Sequence, residues 1–276
     1  MEYQPLDVDA LRAELGGMPG GTVAGIEVVA RTGSTNADLA SAASAGAPDR
    51  TVLVAELQDA GRGRLDRRWS SPPGAGLTFS VLLRPIGVAP NRLGWLPLLA
   101  GVALLRTVRA LRTGDGGGPD AVLKWPNDLL LGPARAKCAG LLAEVPTPNA
   151  VVLGIGLNVH TSPEQLPSGV NATSLRAQGI EVSRTELLVA LLRNLLADEA
   201  DWRAAGGDPV ASGLLEAYRR DCATIGAKVR IEQPGGTAML GTARDVDVDG
   251  RLVLCQEDGT VRGVAAGDVV HLRADS

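Results

Sequence analysis

The sequence predicts an α+β fold: a mixed β-sheet flanked by helices, followed by a small all-β unit at the C-terminal end. Several strand-like apolar runs follow one another with few helices between them, which is typical of a mixed or antiparallel sheet and not of a doubly wound one. Beyond residue 222 the runs become short and are separated by Pro234-Gly-Gly236, Asp249-Gly250 and Asp258-Gly259, which are hairpin turn signals. We therefore predict a large domain over residues 1–220 and a small one over residues 221–276.

The elements follow from local patterns along the chain. Apolar residues recur at helical spacing from Leu93 to Leu111 and place Trp95 in the core. Ser183 and Glu186 form a capping box ahead of an amphipathic helix, and two apolar runs around Gly132-Pro133 indicate a hairpin. We predict helices over residues 7–15, 37–43, 93–111, 184–203 and 209–220, and strands or strand-like runs over 26–30, 51–57, 77–83, 122–131, 137–145, 151–159, 229–231, 237–247, 251–255, 260–265 and 269–272.

Composition and charge argue against several classes of protein. The chain has 276 residues and a net charge of −4, which disfavours non-specific binding to DNA or to anionic membranes. Its three cysteines form no paired motif and predict reduced thiols in the cytoplasm. No signal peptide or transmembrane run is visible. Only two histidines are present, which disfavours His-rich metal sites and a Ser–His–Asp arrangement.

A basic loop follows the strand predicted at residues 51–57. Residues 58–69 contain four arginines and two aspartates, and glycines alternate with the first two arginines, Arg62 and Arg64. Glycine lets backbone N–H groups approach a phosphate, and arginine supplies forked donors. We interpret the segment as a phosphate-gripping loop that is mobile when empty. The alternative is a solvated basic surface loop.

Three other places carry polar groups where apolar ones are expected. Ser34 or Thr35 caps the helix that follows, and these hydroxyls either only cap it or also face a pocket at the helix N-terminus. Asn127 and Asp128 either close an Asx turn or bind a nucleotide and Mg²⁺. Lys137 begins an apolar strand and either extends to solvent or enters a site.

The alternation of side chains along that strand makes a prediction about its faces. It places Lys137 on the face of Ala139 and Leu141 and opposite Cys138, so that the cysteine packs in the core. Gly154 and Gly156 lie in a later apolar run. They are a weak dinucleotide-binding signal, because the third glycine and the following helix are missing, and more simply mark a close approach of another group.

Together these segments resemble the biotin protein ligases over residues 26–273. Each motif is modest, and all five in this order are highly specific. The motifs are Gly33-Ser-Thr-Asn36, Gln58 with Gly61-Arg-Gly-Arg64 through Trp69, Lys124-Trp-Pro-Asn-Asp128, Lys137 with Gly140 and Glu144, and Gly154-Ile-Gly-Leu-Asn158. The segments Gly226 to Arg230 and Ala266 to Val270 also resemble the C-terminal barrel of this family.

The resemblance implies a class II synthetase-like (biotin–lipoate ligase-like) mixed sheet with an SH3-like C-terminal β-barrel. It implies that biotin and ATP give biotinyl-5′-AMP, which a lysine of a biotin carboxyl carrier protein then attacks. Lys137 and Arg62 are the implied catalytic residues, and Asp128 is the implied Mg²⁺ ligand. The implied biotin-binding residues are Ser34, Thr35, Asn36, Gln58, Arg62, Gly63, Arg64, Lys137 and Gly140, and the implied ATP-binding residues are Arg64, Trp69, Lys124, Asn127 and Asn158.

Two features qualify the match. The family's loop usually has glycine where this chain has Asp66, whose charge and restricted backbone differ. Only about 25 residues precede the first predicted strand, so we expect a monofunctional ligase without a helix-turn-helix domain, in the cytoplasm, with no nucleic-acid or membrane partner. Two alternatives stay open, namely a lipoate ligase of the same fold and a non-catalytic biotin or adenylate sensor, and the oligomeric state is open as well.

Overall fold

The computed structural model describes residues 3–16, 23–64, 67–114, 116–232, 238–265 and 268–271. A seven-stranded sheet forms its centre, in the order β1-β2-β3-β7-β6-β5-β4. The β1–β2 pair is parallel and the other pairs are antiparallel, which confirms the mixed sheet. The strands are β1 Gly25–Val29, β2 Thr51–Ala55, β3 Gly76–Leu83, β4 Ala121–Lys124, β5 Asp128–Leu131, β6 Ala136–Thr147 and β7 Ala150–Asn158.

Helices cover both faces of this sheet. Val52, Val81 and Leu153 face the main core, which the leucines of α3 and α4 fill from one side. Leu53, Leu82 and Val152 face the other side and pack against Leu39 and Ala43 of α2. Strand β3 is therefore buried along its whole length. The helices are α1 Val8–Leu15, α2 Thr35–Ser44, α3 Leu96–Arg109, α4 Arg184–Ala204 and α5 Leu214–Asp221, with short 3₁₀ turns at Pro90–Trp95, Pro163–Gln165 and Arg176–Gln178.

A second sheet follows α5. Its five strands are antiparallel in the order β11-β10-β9-β8-β12, which fits the small SH3-like unit that the turn signals predict. The strands are β8 Lys228–Glu232, β9 Ala238–Val246, β10 Leu252–Cys255, β11 Val261–Val264 and β12 Asp268–His271. The Pro234-Gly-Gly236 turn and part of the Ala266 to Val270 match lie outside the described residues.

Two tryptophans attach the second sheet to the first. Trp95 and Trp125 are almost fully buried. Trp95 Nε1 donates to Val248 O at 2.8 Å and Trp125 Nε1 donates to Gly250 O at 3.0 Å. Both acceptors lie in the turn between β9 and β10, so the two indole N–H groups bind the second sheet. The predicted core position of Trp95 is confirmed by its burial. The described part of the chain contains no helix with the length and apolar character needed to cross a membrane.

Several predicted boundaries were wrong. The helix expected over 209–220 begins only at Leu214, because Gly213 adopts a left-handed conformation with φ of 73°. The helix expected from Leu93 begins with a 3₁₀ turn and becomes α-helical at Leu96. The apolar run 122–131 is two strands, β4 and β5, which pair as a hairpin around Trp125-Pro126-Asn127.

Candidate active site

One pocket of about 1150 Å³ opens above the middle strands of the large sheet. All the residues that the sequence proposes for the site line this pocket, although they come from segments more than 120 positions apart. They are Ser34, Thr35, Asn36, Gln58, Arg62, Gly63, Arg64, Trp69, Lys124, Asn127, Asp128, Lys137, Gly140 and Asn158. The structure thus brings all of them to one pocket, whereas the role of each residue stays a prediction.

The N-terminus of α2 forms one part of the pocket wall. Ser34 is the N-cap, with its hydroxyl accepting from Ala37 N at 3.5 Å. Thr35 donates from its backbone N and from its hydroxyl to Gln58 Oε1, at 2.8 and 3.0 Å. The same side chains therefore cap the helix and line the pocket, so the two interpretations of these hydroxyls do not exclude each other. Gln58 is fixed as well, because it closes the helix end.

A buried serine connects this wall to the sheet. Ser80 on β3 is fully buried, and its Oγ lies 2.7 Å from Thr35 Oγ1 and 2.6 Å from Asn36 Oδ1. Asn36 in turn donates from Nδ2 to Glu144 Oε2 at 2.7 Å and to Leu142 O at 3.3 Å. We call Thr35, Asn36, Ser80 and Glu144 the polar floor. A Cβ on Gly154 would overlap the Asn36 amide, so glycine is required there.

Lys137 faces the pocket because of a β-bulge that the sequence did not predict. Leu129 pairs with Ala139 but Leu130 pairs with Lys137, so Cys138 is the extra residue of a β-bulge. The bulge turns Lys137 to the face of Gly140, where a Cβ on Gly140 would lie 3.2 Å from its Nζ. The predicted grouping of Lys137 with Ala139 and Leu141 was therefore wrong.

The prediction for Cys138 itself is confirmed. Cys138 and Ala139 are both fully buried in the main core, and the bulge accounts for two successive side chains on the same face. Burial raises the pKa of the Cys138 thiol. The cysteine packs and does not take part in chemistry.

The ammonium group of Lys137 is held in place from several directions. Its Nζ lies 2.6 Å from Asp128 Oδ1. Its backbone pairs with β5 on one side, while its N–H donates to Asn171 O at 2.8 Å and its carbonyl accepts from Thr173 N at 2.9 Å on the other. A cation on such a braced strand needs no rearrangement when an anion arrives.

The two predicted asparagines are also structural. Asn127 Nδ2 donates to Leu141 O at 2.7 Å, and Asn158 Nδ2 donates to Thr173 O at 3.0 Å. Each amide uses its nitrogen to hold a neighbouring backbone segment. The side-chain oxygen is the part left to interact with a ligand in the pocket.

We call residues 58–69 the arginine loop. Gly63 N donates to Arg67 O at 2.6 Å and Trp69 N donates to Gly61 O at 2.9 Å, so the loop folds back on itself. The Arg62 guanidinium lies 3.3 Å from the Glu144 carboxylate and is about half exposed. Leu65 and Asp66 lie outside the described residues, and the effect of Asp66 stays open.

Trp69 closes the loop onto the sheet. A Cβ on Gly156 would overlap its indole, and one on Gly140 would lie 3.4 Å from its Cζ3. The ring thus rests on a surface that only glycines leave flat. Its Nε1 is buried and makes no hydrogen bond to the described residues. This explains the glycines of the β7 run without a dinucleotide motif.

The second sheet contributes to the pocket as well, which the sequence analysis missed. Val269, Val270 and His271 of β12 line it. His271 Nε2 lies 3.1 Å from Thr224 Oγ1, and Trp125 N donates to the same hydroxyl at 2.9 Å. Burial, together with the charge of Lys124, lowers the pKa of His271 to about 4. No sequence pattern could have indicated this contact, because it depends on how the two sheets pack.

Ser80 was missed for a different reason. It is one of two hydroxyl residues, with Thr78, in an otherwise apolar strand, and nothing in its neighbours marks it as important. A buried polar residue in such a strand needs a partner, and that requirement was the available signal. The described residues contain no group of three or more His, Cys, Asp or Glu side chains that could hold a metal ion.

Comparison with known proteins agrees with this architecture. The model of the biotin/lipoate A/B protein ligase family matches residues 28–161, and that of the biotin protein ligase C terminal domain matches residues 224–272. The biotin–[acetyl-CoA-carboxylase] ligase of Mycobacterium tuberculosis is 45% identical, covering 98% of this chain and 97% of that protein. The bifunctional ligase/repressor BirA of Bacillus spizizenii is 31% identical, covering 88% of this chain and 72% of that protein.

Solved structures show the same fold. The biotin protein ligase from Aquifex aeolicus in complex with biotin and ATP superposes with a TM-score of 0.73, at 24% identity, covering 91% of this chain and all of that one. A mixed sheet that carries one basic-loop pocket, followed by a small β-sheet, is the architecture of a biotin or lipoate ligase. Within that class, the chain belongs to the biotin protein ligase family.

Proposed function

We propose that this protein is an ATP-dependent ligase that attaches biotin to one lysine of a biotin carboxyl carrier protein. The relative that is 45% identical is a biotin–[acetyl-CoA-carboxylase] ligase. The observation that carries the proposal is that the fixed ammonium of Lys137 and the guanidinium of Arg62 line the same pocket. One cation is built into the sheet and the other is brought by a loop.

In the first step, a biotin carboxylate oxygen attacks the α-phosphorus of ATP. The new O–P bond forms as the bond from this phosphorus to the bridging oxygen breaks, and pyrophosphate leaves with that electron pair. The two reactants are both anionic, so their approach is repelled. One cation about 4 Å away offsets roughly 4 kcal/mol at an effective dielectric near 20, which is about three decades in rate if it acts in the transition state.

Lys137 is the group we assign to this task, because it is pre-placed. Arg62 and Arg64 then close over the mixed anhydride and keep water from hydrolysing it. In the second step, the lysine amine of the carrier attacks the biotinyl carbonyl carbon. The amide bond forms, AMP leaves with the electrons of the anhydride bond, and the amine loses a proton.

The remaining lining residues divide between the two substrates. We assign the polar wall at α2 and the first part of the arginine loop to biotin, with Ser34, Thr35, Asn36, Gln58, Gly63 and Gly140. We assign four buried or half-buried residues to ATP, namely Trp69, Lys124, Asn127 and Asn158.

A magnesium ion fits this donor set only as a partner of substrate phosphates. Asp128 supplies one carboxylate, already paired with Lys137, and the nearby side-chain oxygens of Asn127 and Asn158 are neutral. Mg²⁺ is commonly held by one or two carboxylates together with phosphates and water. When bound, it would neutralise charge on the triphosphate, and Asp128 is the residue we propose to hold it.

Three further statements belong to this proposal. The carrier of an acyl-CoA carboxylase is the acceptor, by analogy with the name of the Mycobacterium tuberculosis relative. The reaction takes place in the cytoplasm, where carboxylases and reduced thiols are expected. The chain divides near residue 221 into a ligase domain and an SH3-like domain.

Mass spectrometry of a purified carrier domain tests the proposal directly. Incubation with this protein, biotin and ATP should add the mass of one biotinyl group, and omission of ATP should abolish the addition. An unmodified carrier together with no biotin-dependent release of pyrophosphate would refute the proposal.

Two further assays, adenylate formation from each acid and a gel shift, distinguish the two alternatives. Adenylate formation from lipoate but not from biotin would identify a lipoate ligase. A gel shift with genomic fragments that survives added salt, with no adenylate formed from either acid, would instead identify a sensor.

A further inference from the structure

We propose that Glu144 is a positioning residue for the site, acting through Asn36 and Arg62. This inference rests on the proposed function, since it assigns Glu144 to the binding of the same substrates. Glu144 lies on β6, and its side chain is 31% exposed. One of its carboxylate oxygens accepts from Asn36 at 2.7 Å, and both oxygens lie 3.3 Å from the Arg62 guanidinium. It thus connects the other residues of the polar floor to the arginine loop.

The first part of the argument concerns the amide of Asn36. A carboxylate only accepts hydrogen bonds, and so does the other neighbour, Leu142 O. The NH₂ group of Asn36 must therefore face Glu144, and its oxygen must face Ser80. Asn36 is nearly fully buried, so a wrong orientation would leave several polar groups unsatisfied.

The orientation then passes along the floor. Ser80 has one hydroxyl hydrogen, which goes to Asn36 Oδ1 at 2.6 Å. Its oxygen can then only accept, and the Thr35 hydroxyl, 2.7 Å away, shares its single hydrogen between Ser80 Oγ and Gln58 Oε1. The charge on Glu144 thus orients Asn36 and Ser80, and Thr35 connects this oriented pair to Gln58 at the pocket wall. Buried chains of this kind are worth more than their separate bonds.

The second part concerns Arg62. Its guanidinium is about half exposed, and an exposed ion pair at 3.3 Å is weak. Glu144 therefore keeps the arginine beside the pocket but does not hold it against a phosphate, which offers bidentate and more highly charged partners. The carboxylate limits the number of positions that Arg62 samples before the substrates bind.

Substitution of Glu144 tests both parts. Glu144→Gln keeps the shape but allows its amide to donate to Asn36, while Glu144→Ala removes the contact. We expect KM for biotin to rise about tenfold in Glu144→Gln and further in Glu144→Ala, as for loss of hydrogen bonds to a charged group, with a smaller change in kcat. Glu14→Gln is the matched control, because it removes an exposed ion pair with Arg193, and neither residue lines the pocket.

Double variants locate the effect. In an Asn36→Ala or Arg62→Ala background, the effect of Glu144→Gln should shrink, because the residue through which it acts is gone. Biotin titrations followed by tryptophan fluorescence give a readout without turnover, since Trp69 is half-buried at the pocket and Trp95, Trp125 and Trp202 are buried in the core.

Two outcomes overturn the inference. One is wild-type KM and biotin affinity in both Glu144 variants, and the other is an equal loss in the Glu14→Gln control. A wild-type protein that fails to bind biotin would instead refute the proposed function, so the two failures are distinguishable. Thermal unfolding of each variant shows whether the fold is retained.

Discussion

The two sides of the pocket are built in opposite ways. On the polar floor, Thr35, Asn36 and Ser80 are buried and each has at least one hydrogen-bond partner in the protein. The arginine loop is held at its start by the bonds between Gln58 and Thr35, and from Gly61 onward it contacts the pocket at the ion pair of Arg62 and at the ring of Trp69. One side is fixed by the sheet, and the other is attached by contacts that a ligand can replace.

This difference assigns different work to the two sides. Fixed and already oriented dipoles recognise a ligand without reorganising, which suits a compact ring system. A cation on a loop suits a highly charged ligand, because the phosphates themselves supply the energy that orders it. Lys137 belongs to the fixed side, although it is a cation, since it lies on a bulged strand and pairs with Asp128.

The largest effect we expect separates the fixed cation from the loop cation. Lys137→Ala should lower biotin-dependent pyrophosphate release about a thousandfold, because one cation close to the reacting anions is worth roughly 4 kcal/mol. Arg62→Ala should cost less, about tenfold to a hundredfold, because Arg64 of the same loop also lines the pocket.

Lys228→Ala on the exposed part of β8 is the control for loss of a lysine, and its activity should equal that of the wild type. Circular dichroism and thermal unfolding should show that the Lys137 variant keeps its fold. Near-wild-type turnover of Lys137→Ala would show that the lysine only ends a strand.

The second prediction compares Gly154, which lies under Asn36 of the polar floor, with Gly156, which lies under Trp69 of the arginine loop. Gly154→Ala places a methyl group against the locked Asn36 amide, and Gly156→Ala places one against the Trp69 ring. We expect Gly154→Ala to lower the free energy of unfolding by about 1–3 kcal/mol, because Asn36 cannot move without breaking buried hydrogen bonds. Gly156→Ala should cost about 0.5 kcal/mol or less, because the loop can shift.

Urea denaturation measures both values on the same protein. The wild type is the reference, and an unchanged slope in urea shows that the unfolded states are comparable. Equal destabilisation by the two substitutions would mean that Trp69 is as firmly fixed as Asn36, and the contrast between the two sides would be lost.

The third prediction concerns ordering of the loop by ligands. Trypsin should cleave within residues 59–75 in the empty protein, and biotin with ATP should slow this cleavage about tenfold by removing the open state. Cleavage at Arg112, which is exposed in the segment after α3 and does not line the pocket, is the internal control. The same rate with and without ligands would contradict the idea that substrates order the loop.

How much of this was available from the sequence depends on whether a feature is local. The strands, the caps at Ser34 and Ser183 and the pocket residues named in the five motifs followed from patterns and motifs. The face of Lys137 did not, because a bulge at Cys138 breaks the alternation of side chains. Ser80, the contact between Glu144 and Arg62, and the arrival of β12 at the pocket depend on packing between distant segments. No local pattern encodes them.

The smallest expected effect concerns β12, and it tests whether this strand is held as firmly as the polar floor or as loosely as the arginine loop. Burial lowers the pKa of His271 to about 4, from 6.5 for the free side chain. Between pH 6.5 and about pH 4, His271 is therefore protonated in the unfolded chain but neutral in the folded protein. The contribution of neutral His271 to stability is complete above pH 6.5 and is lost as the pH falls from 6.5 towards 4.

If β12 is fixed like the floor, the loss of stability on going from pH 7 to pH 5 should be smaller in His271→Gln than in the wild type. We expect a difference of about 2–4 °C in the shift of the unfolding midpoint, a modest value because the ring is only partly buried. His160→Gln is the matched control in the large domain, where burial also lowers the pKa of the histidine. An unchanged pH dependence in His271→Gln would show that β12 yields to protonation, so that the second sheet lines the pocket as loosely as the arginine loop does.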